Sequence, residues 1–348
     1  MSGRDHRIIP AALDWLAEGR SVALATAIET WGSAPQPVGS QLAIDGEGHF
    51  LGSVSGGCIE AEVVAESAEV LSSGRPKTLK FGVEDGTAWK VGLACGGTIR
   101  IYLESLGNGC GPDGDGVLHR LVGDLAARRK VALVTELESG ATRLAHAPED
   151  LGRALAPALT EAFRFDRSVA LDGTHGEIFI NVFNPVIRVA IVGAVHVAQA
   201  LAPMAYTLGY EALVVDPRTA FATEQRFGDV RIVHDWPDEA LSALGLDAHT
   251  AVVVLSHDAK IDDPALISAL RSDVFYVGAL GSKQTHAARV ERLRHAGIVD
   301  ADIARIHAPI GLDIGAQGAA EIALSIVAEI TAVQRGRAPA RVSAAVRA

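Results

Sequence analysis

The second half of the chain alternates apolar, strand-like runs with helix-like segments, beginning at residue 186. This alternation is typical of a doubly wound parallel sheet, because parallel strands must be joined by crossover segments that are usually helices. Strands are predicted at 186–192, 212–215, 230–233, 251–255, 274–277 and 303–306. Helices are predicted at 197–208, 238–244, 264–271, 283–296 and 319–334. We therefore predict a Rossmann-like domain over 185–335.

The first half of the chain lacks this regular alternation and mixes short strands with separate helices. Strands are predicted at 21–28, 41–44, 77–81 and 98–103, with a helix at 58–72. A Gly/Asp-rich linker is predicted near 107–116, and a flexible tail at 336–348. The chain is therefore assigned to the α/β class, with an N-terminal mixed α+β domain over 1–184 preceding the Rossmann-like doubly wound parallel sheet.

Composition argues against several functional classes. The 348 residues carry a net charge of −11, with 31 Lys and Arg against 42 Asp and Glu, which argues against a nucleic-acid-binding protein. No apolar run reaches the length of a transmembrane helix, so no membrane association is expected. Three cysteines are an odd, sparse set rather than a disulfide framework, which favours a reducing cytoplasm.

The stretch 52–60 reads Gly-Ser-Val-Ser-Gly-Gly-Cys-Ile-Glu and leads into a helical pattern. Gly56 and Gly57 allow the backbone to approach a ligand closely, and a helix start offers unpaired N–H groups. Together these features predict an anion site and a thiol of lowered pKa at Cys58, suited to a nucleophile or a soft metal ligand. Nearby glutamates oppose that pKa shift, and the alternative is a small buried cysteine at a helix cap.

A second cysteine stands among glycines at 92–97, in the order Gly-Leu-Ala-Cys-Gly-Gly. Cys95 follows Cys58 by 37 residues and neither lies in a CxxC pair, so the spacing does not indicate a zinc site. Two thiols in glycine-rich loops can serve one soft centre, such as molybdenum or a transferred sulfur atom. The alternative is a pair of buried structural cysteines.

The first strand-to-helix turn of the second half carries an incomplete dinucleotide-binding pattern. Gly193 supplies the tight turn and Ala198 permits close helix–strand packing, but Val195 occupies the place of the glycine that admits a pyrophosphate. Asp216 lies 23 residues after Gly193, where an acid binds a ribose hydroxyl, while Arg218 is placed to receive a phosphate. The turn therefore predicts NAD(P) binding, another phosphorylated ligand, or packing alone.

Two further loops are predicted at the carboxyl edge of the same sheet, where ligands bind in folds of this kind. Ser-His-Asp at 256–258 follows the fourth strand and provides His257 and Asp258. Gly-Ala-Leu-Gly-Ser-Lys at 278–283 opens a helix, as a phosphate-binding loop does. The candidate binding residues of this edge are Gly193, His196, Asp216, Arg218, Asp258, Gly278, Gly281, Ser282 and Lys283, with His257 as a candidate catalytic group.

Taken together, these motifs resemble the XdhC/CoxI family of xanthine dehydrogenase accessory factors over nearly the whole chain. The motifs that carry the resemblance are Gly-Ser-Ala-Pro at 32–35 with Gly-Ser at 39–40, the stretch 52–60, Leu-Ala-Cys-Gly-Gly at 93–97, the turn 193–198, Asp-Pro-Arg at 216–218, Ser-His-Asp at 256–258, the segment 276–282, Pro-Ile-Gly-Leu-Asp-Ile-Gly at 309–315 and Glu-Ile-Ala at 321–323. The chain departs from the family at Val195, where many relatives carry glycine, and at Ser256, where threonine is common.

The resemblance implies a molybdenum cofactor (molybdopterin) chaperone rather than a stand-alone enzyme. Such a protein protects the cofactor while a cysteine desulfurase supplies the terminal sulfido ligand, and delivers it to a xanthine dehydrogenase-type molybdenum hydroxylase. We expect the molybdenum end near Cys58 and Cys95, the pterin phosphate near Lys283, and a homodimer. Two alternatives remain, an NAD(P)-dependent oxidoreductase using His196 or His257, and an adaptor that recruits the hydroxylase without binding its cofactor.

Overall fold

The structure is a computed structural model that describes residues 7–32, 36–82, 97–107, 116–173 and 176–337. The chain forms two compact units, Met1–Pro185 and Val186–Ala348. Among the described residues, no helix combines the length and apolar character needed to cross a membrane.

The second unit contains the predicted doubly wound sheet. Its six strands are β10 (Arg188–Val192), β11 (Glu211–Val215), β12 (Arg231–Val233), β13 (Thr250–Val254), β14 (Tyr276–Ala279) and β15 (Ile306–His307). They pair in the order β12-β11-β10-β13-β14-β15, and every adjacent pair is parallel. This order reverses between β10 and β13, so the carboxyl ends of these two strands flank the crevice where a ligand is expected.

Helices cover both faces of this sheet. They are α5 (His196–Thr207), α6 (Glu224–Phe227), α7 (Pro237–Leu244), α8 (Ala259–Leu270), α9 (Lys283–His295), α10 (Asp300–Ile303) and α11 (Ala319–Gln334). The central strands are apolar on both sides because each side faces helices: one core lies under α5 and α11, and the other under α7 and α8. The Rossmann prediction is confirmed by this architecture.

The sixth strand and the start of α8 differ from the sequence-based prediction, and the short helix α6 is not predicted. The predicted strand at 303–306 is the end of α10 followed by the two-residue strand β15. Helix α8 begins at Ala259, five residues before the predicted start, because the Asp258 carboxylate accepts the amide of Lys260 and caps the helix. Pro264, which suggested the start, lies inside the helix instead.

The first unit begins with a five-stranded antiparallel sheet and two helices. The elements are α1 (Ile8–Ala17), β1 (Val22–Trp31), β2 (Gln41–Asp45), β3 (Phe50–Gly52), α2 (Glu60–Ser73), β4 (Lys77–Phe81) and β5 (Thr98–Leu106). The strands pair in the order β3-β2-β1-β5-β4. Alternate residues of β1 face opposite sides, so Ala23 and Ala25 pack towards α2 while Val22 and Leu24 pack towards α1. The loop from β3 to α2 carries Cys58.

A four-stranded antiparallel sheet completes the first unit. The elements of this part are α3 (Gly116–Ala126), β6 (Val131–Glu136), β7 (Thr142–Ala145), a 3-10 turn (Pro148–Leu151), α4 (Gly152–Phe165), β8 (Val169–Gly173) and β9 (Gly176–Phe183). The strands pair in the order β7-β6-β9-β8. These antiparallel sheets with flanking helices confirm the predicted mixed α+β character of the N-terminal part.

Candidate functional site

The loop before α2 is folded around the carboxylate of Glu60. Its oxygens accept the amides of Val54 (3.2 Å), Ser55 (2.9 Å), Gly57 (2.9 Å) and Ile59 (3.2 Å). The hydroxyl groups of two loop serines also donate to it, Ser53 at 2.6 Å and Ser55 at 2.5 Å. The two remaining amides donate to serine oxygens, Gly56 to Ser53 and Cys58 to Ser55.

Glu60 is therefore the internal anion of this glycine-rich turn. Burial would raise the pKa of its carboxyl group, but the hydrogen bonds from Ser53 and Ser55 outweigh burial and lower the pKa to about 2. Because every amide from residue 54 to residue 59 already has an acceptor, Gly56 and Gly57 present no unpaired N–H group to an outside anion. Their predicted role in cofactor binding cannot rest on the free helix-start amides inferred from the sequence.

The thiol of Cys58 is the group this loop offers for chemistry. The side chain is half-buried and packs against the core between the first sheet and α2. Gly57 beside it has a φ of +110°, and a methyl group added to Gly57 would meet nothing within 4 Å. Among the described residues, no group of three or more His, Cys, Asp or Glu side chains is arranged to hold a metal ion. Cys95 lies outside the described residues.

The turn between β10 and α5 needs its glycine for close approach of the neighbouring strand. Gly193 has a φ of +106°, and a Cβ atom there would come within 2.8 Å of the backbone nitrogen of Ser256. Val195 is the N-cap of α5, and His196, the first residue of that helix, is exposed. The glycine is thus required by the packing of β10 against the end of β13.

Asp216, predicted to bind a ribose hydroxyl, is fully buried and bonded within the chain. One oxygen accepts the amide of Ala194 at 2.8 Å, and the guanidinium of Arg218 donates to both oxygens at 2.8 and 2.7 Å. Burial would raise the pKa of Asp216, but the bonds from Arg218 and Ala194 lower it. The arginine also stacks over Phe221, 4.4 Å from the ring centroid. In this conformation Asp216 offers no free oxygen to a ribose, and Arg218 is held rigidly beside it.

The loop after β13 places His257 at the edge of the sheet in a left-handed conformation, with a φ of +63°. The side chain is exposed. Its neighbours hold the loop, since Ser256 accepts the amide of Asp258 (3.1 Å) and donates to Asp262 (2.5 Å). Asp258 caps α8, so its carboxylate has a structural partner in the amide of Lys260. A non-glycine residue at positive φ is strained, and such strain is common at ligand sites.

A buried ion pair that the sequence did not indicate links this loop to the next one. Asp262 receives the Ser256 hydroxyl on one oxygen and lies 3.5 Å from the guanidinium of Arg289 on the other. The same guanidinium donates to the carbonyl of Leu280 at 3.0 Å. Burial raises the pKa of Asp262 and lowers that of Arg289. Arg289 is missed by sequence reasoning because α9 is otherwise polar and charged, so a buried arginine there leaves no pattern.

The glycine-rich loop 278–283 divides into a packing part and an exposed part. A Cβ atom on Gly278 would clash with Ile310 and with the Tyr276 hydroxyl, so this glycine makes room for core packing. Ser282 caps α9 by accepting the amide of Thr285 at 3.1 Å, and it is exposed together with Lys283. Lys283, at the N-terminus of a 13-residue helix, provides a cation where the helix dipole also favours an anion.

Another feature of the second unit is the network around Glu329, which sequence reasoning also misses. Its buried carboxylate accepts the hydroxyl of Tyr276 (2.6 Å) and the amide of Gly311 (2.8 Å), and pairs with His307 (3.1 Å). Burial would raise the pKa of Glu329, but the bonds from His307 and Tyr276 lower it. His307 stacks on Tyr276 at 4.6 Å between ring centroids. The network fixes the loop that follows β15.

Comparison with known proteins places these features in one family. The XdhC and CoxI family model matches residues 15–82, and the XdhC Rossmann domain model matches residues 189–330. The chain is 30% identical to the molybdenum cofactor insertion chaperone PaoD of Escherichia coli K12, over 95% of this chain and 89% of that protein. The chain belongs to the XdhC and CoxI family.

Other relatives agree with this assignment. A Bacillus subtilis protein, named as a probable subunit of xanthine dehydrogenase, is 27% identical over 94% of this chain and 97% of its own length. A crystal structure from Bacillus halodurans, described as a xanthine dehydrogenase, superposes with a TM-score of 0.71 over 99% of this chain and 98% of that one, at 24% identity, and so shows the same fold. Of the predicted site residues, Cys58 falls in the first family match and His257 in the second, whereas Cys95 falls between them.

Proposed function

We propose that this XdhC and CoxI family member binds the molybdenum cofactor as cargo and inserts it into a xanthine dehydrogenase-type molybdenum hydroxylase. The names of the E. coli and B. subtilis relatives support the choice of cargo and client. The observation that carries the proposal is the loop before α2, in which Glu60 accepts the loop amides and the half-buried side chain of Cys58 follows two glycines.

The role proposed for Cys58 is that of a soft ligand to the molybdenum of the cargo. A thiolate suits such a centre better than oxygen or nitrogen groups do. The hydrogen bonds among the loop residues and Glu60 hold the backbone in place, so Cys58 lies on a preorganised loop. Cys95 is proposed as a second thiol for the same cargo or for its sulfur.

The role proposed for the carboxyl edge of the Rossmann sheet is recognition of the phosphate carried by the cofactor. Lys283 and the N-terminus of α9 supply positive potential, and Gly281 and Ser282 form the turn that precedes this helix. His257 stands exposed at the same edge and is the proposed proton donor or acceptor there. The guanidinium of Arg218, fixed by Asp216, adds a cation that is already oriented.

We further propose that the chain protects the cofactor in the cytoplasm while a cysteine desulfurase supplies its terminal sulfido ligand, and that it acts as a homodimer. Protection requires that bound cofactor be shielded from water and oxidants. It also requires the two partner proteins to reach the cargo in turn, first the desulfurase and then the hydroxylase. Each partner interaction is separately measurable by co-purification with the tagged chain.

An NAD(P)-dependent oxidoreductase is disfavoured by the contacts of Asp216. The residue that would bind the ribose is buried and bonded to Ala194 and Arg218, and Val195 fills the place of the second glycine. We therefore expect no change in NADH or NADPH fluorescence on mixing with the pure protein. A saturable change would instead favour the oxidoreductase.

The insertion function is tested by reconstitution. The purified chain is loaded with molybdenum cofactor and mixed with cofactor-free hydroxylase, and the recovered activity is followed over time. The third cysteine, Cys110, belongs to the predicted Gly/Asp-rich linker and serves as the control. We expect the wild type and Cys110→Ala to activate the hydroxylase equally, and Cys58→Ala to fail. Equal activation by Cys58→Ala would remove the thiol from the mechanism, and no activation by the wild type would leave the adaptor as the better account.

A further inference from the structure

The first unit contains a cavity of about 720 Å³ in the part of the chain that lies between the two family-model matches. It is bordered by α3, by the residues that follow α3, and by β7 with its following turn. Its volume falls within the range of small-molecule sites. The candidate residues of the cysteine loop and of the Rossmann edge do not line it.

The cavity is lined by three arginines and a histidine. Arg120 lies on α3, Arg129 follows that helix, Arg143 lies on β7, and His146 comes directly after β7. One carboxylate, that of Asp124, lies among them. Arginine predominates here although the whole chain has a net charge of −11, so the basic character of this cavity is local.

Asp124 orients two of these basic groups. It is buried, one oxygen accepts two guanidinium bonds from Arg129 at 2.8 and 2.6 Å, and the other pairs with Nε2 of His146 at 2.7 Å. Burial would raise the pKa of Asp124, but the bonds from His146 and Arg129 lower it, so the carboxylate stays charged and holds both partners. A site whose cations are already fixed loses less entropy when a ligand binds.

A second carboxylate lies near the cavity and is engaged by the backbone. The carboxylate of Asp150 accepts the amides of His146 (2.6 Å) and Ala147 (2.9 Å). Nη1 of Arg143 donates to the backbone carbonyl oxygen of Asp150 at 3.0 Å. Arg143 is therefore held against the turn that follows β7.

We propose that this cavity is a binding site for a small phosphorylated molecule. The planar guanidinium fork matches the oxygens of phosphate, and several forks converging on one cavity favour a ligand with two or more negative charges. Val117 and Leu144 provide an apolar surface in the cavity, which suits an organic group next to the phosphate. The inference is independent of cofactor insertion, because it concerns a different set of residues.

The test uses the full-length chain and inorganic pyrophosphate as the probe, measured by isothermal titration calorimetry at low ionic strength. We expect saturable binding by the wild type and weakening on the order of 100-fold in Arg120→Gln/Arg143→Gln, since each lost charged hydrogen bond lowers affinity about tenfold or more. This pair leaves Arg129 and His146 on Asp124, so the fold is retained. The control is Arg231→Gln/Arg271→Gln, which removes the same charge from exposed positions of the Rossmann unit.

A measurement without substitutions guards against indirect effects. Titration of the wild type with pyrophosphate should shift the backbone amide resonances of residues 142–146 more than those elsewhere in the chain. Absence of binding by the wild type would overturn the proposal. So would equal weakening in the two double variants, or shifts that leave residues 142–146 unaffected.

Discussion

The turn before α2 and the turn before α5 look alike in sequence but are closed in different ways. Each places glycine shortly before a helix, and each is predicted from sequence to face an anion. In both, a carboxylate of the chain takes amides of the turn, namely Glu60 in the first and Asp216 in the second. A glycine-rich helix start is therefore an open anion site only when no acidic side chain of the same chain reaches it.

The difference lies in what accompanies each carboxylate. Asp216 is paired with the guanidinium of Arg218, so the charge of the carboxylate in the second turn is balanced by that of the arginine. Glu60 is held by amides and hydroxyl groups, which leave its charge within the loop. Under the proposed function, Cys58 of the first turn acts through its sulfur, and Lys283 at the Rossmann edge recognises the phosphate.

The largest effect should follow from removing the carboxylate of the first turn. Glu60→Ala leaves the amides of residues 54, 55 and 57 and two serine hydroxyl groups without this acceptor, and we expect a loss of about 3 to 4 kcal/mol in the free energy of unfolding. Glu62→Ala, in the same first turn of α2 but exposed, is the control and should change stability by less than about 0.5 kcal/mol. Urea denaturation measures both, and similar values would mean that Glu60 does not organise the loop.

The two glycines separate backbone strain from steric clash. Gly193→Ala should cost about 2 to 4 kcal/mol, because the new methyl group adds a clash with the Ser256 backbone to the strain of a positive φ. Gly57→Ala has a similar φ but open space around it, so we expect about 1 kcal/mol. Thermal unfolding of the two variants tests this ranking. A larger loss of stability for Gly57→Ala would contradict the close packing of Gly193 against Ser256.

Two buried glutamates should give opposite dependences of stability on pH. The pKa of Glu60 is about 2 in the folded chain against its usual 4.5, so its contribution is present above pH 4.5 and is lost as pH falls towards 2. Burial raises the pKa of Glu104, on β5, to about 7, so this residue destabilises the fold increasingly as pH rises from 4.5 to 7.

Substitution by glutamine separates these two effects. Glu60→Gln should flatten the acid side of the profile, and Glu104→Gln should raise stability at pH 8 by about 1 to 3 kcal/mol. Urea midpoints measured from about pH 3 to about pH 8 provide both profiles. A fall in stability for Glu104→Gln at the upper end would mean that the ionised carboxylate has a favourable partner.

The smallest effect on stability is expected at Cys58. Its side chain is half-buried, and the bonds that hold the loop run through Glu60 and the serines, so Cys58→Ser should change the free energy of unfolding by less than about 1 kcal/mol. Glu60→Ala thus tests which residue stabilises the loop, and Cys58→Ser tests whether the thiol contributes to stability. A loss above about 2 kcal/mol for Cys58→Ser would favour the alternative of a structural cysteine.

The Rossmann sheet is well predicted from the sequence because strand–helix alternation is a local pattern repeated along the chain. The start of α8 is poorly predicted, since Pro264 suggests a boundary that the Asp258 cap places five residues earlier. The sixth strand is predicted at 303–306 but lies at Ile306–His307, because two residues are too few to fix its bounds by a periodic pattern.

The residues of the candidate site are predicted from local motifs, but their tertiary contacts are not. Glycines, the cysteine and the exposed histidine are visible as local motifs, and Glu60 is visible as a charge. That Glu60 folds back onto six donors, or that Asp262 meets Arg289 from another helix, depends on tertiary packing. Such contacts have no fixed spacing in sequence, so the partners of a motif are harder to predict than the motif itself.

The central claim is that Cys58 holds the molybdenum end of a bound cofactor. The most direct measurement is ultrafiltration binding of isolated molybdenum cofactor to the wild type and to Cys58→Ala, with Cys110→Ala as the thiol control. We expect tight binding by the wild type and the control, and at least about tenfold weaker binding by Cys58→Ala. Equal binding by all three would contradict the claim and move cofactor recognition to the Rossmann edge alone.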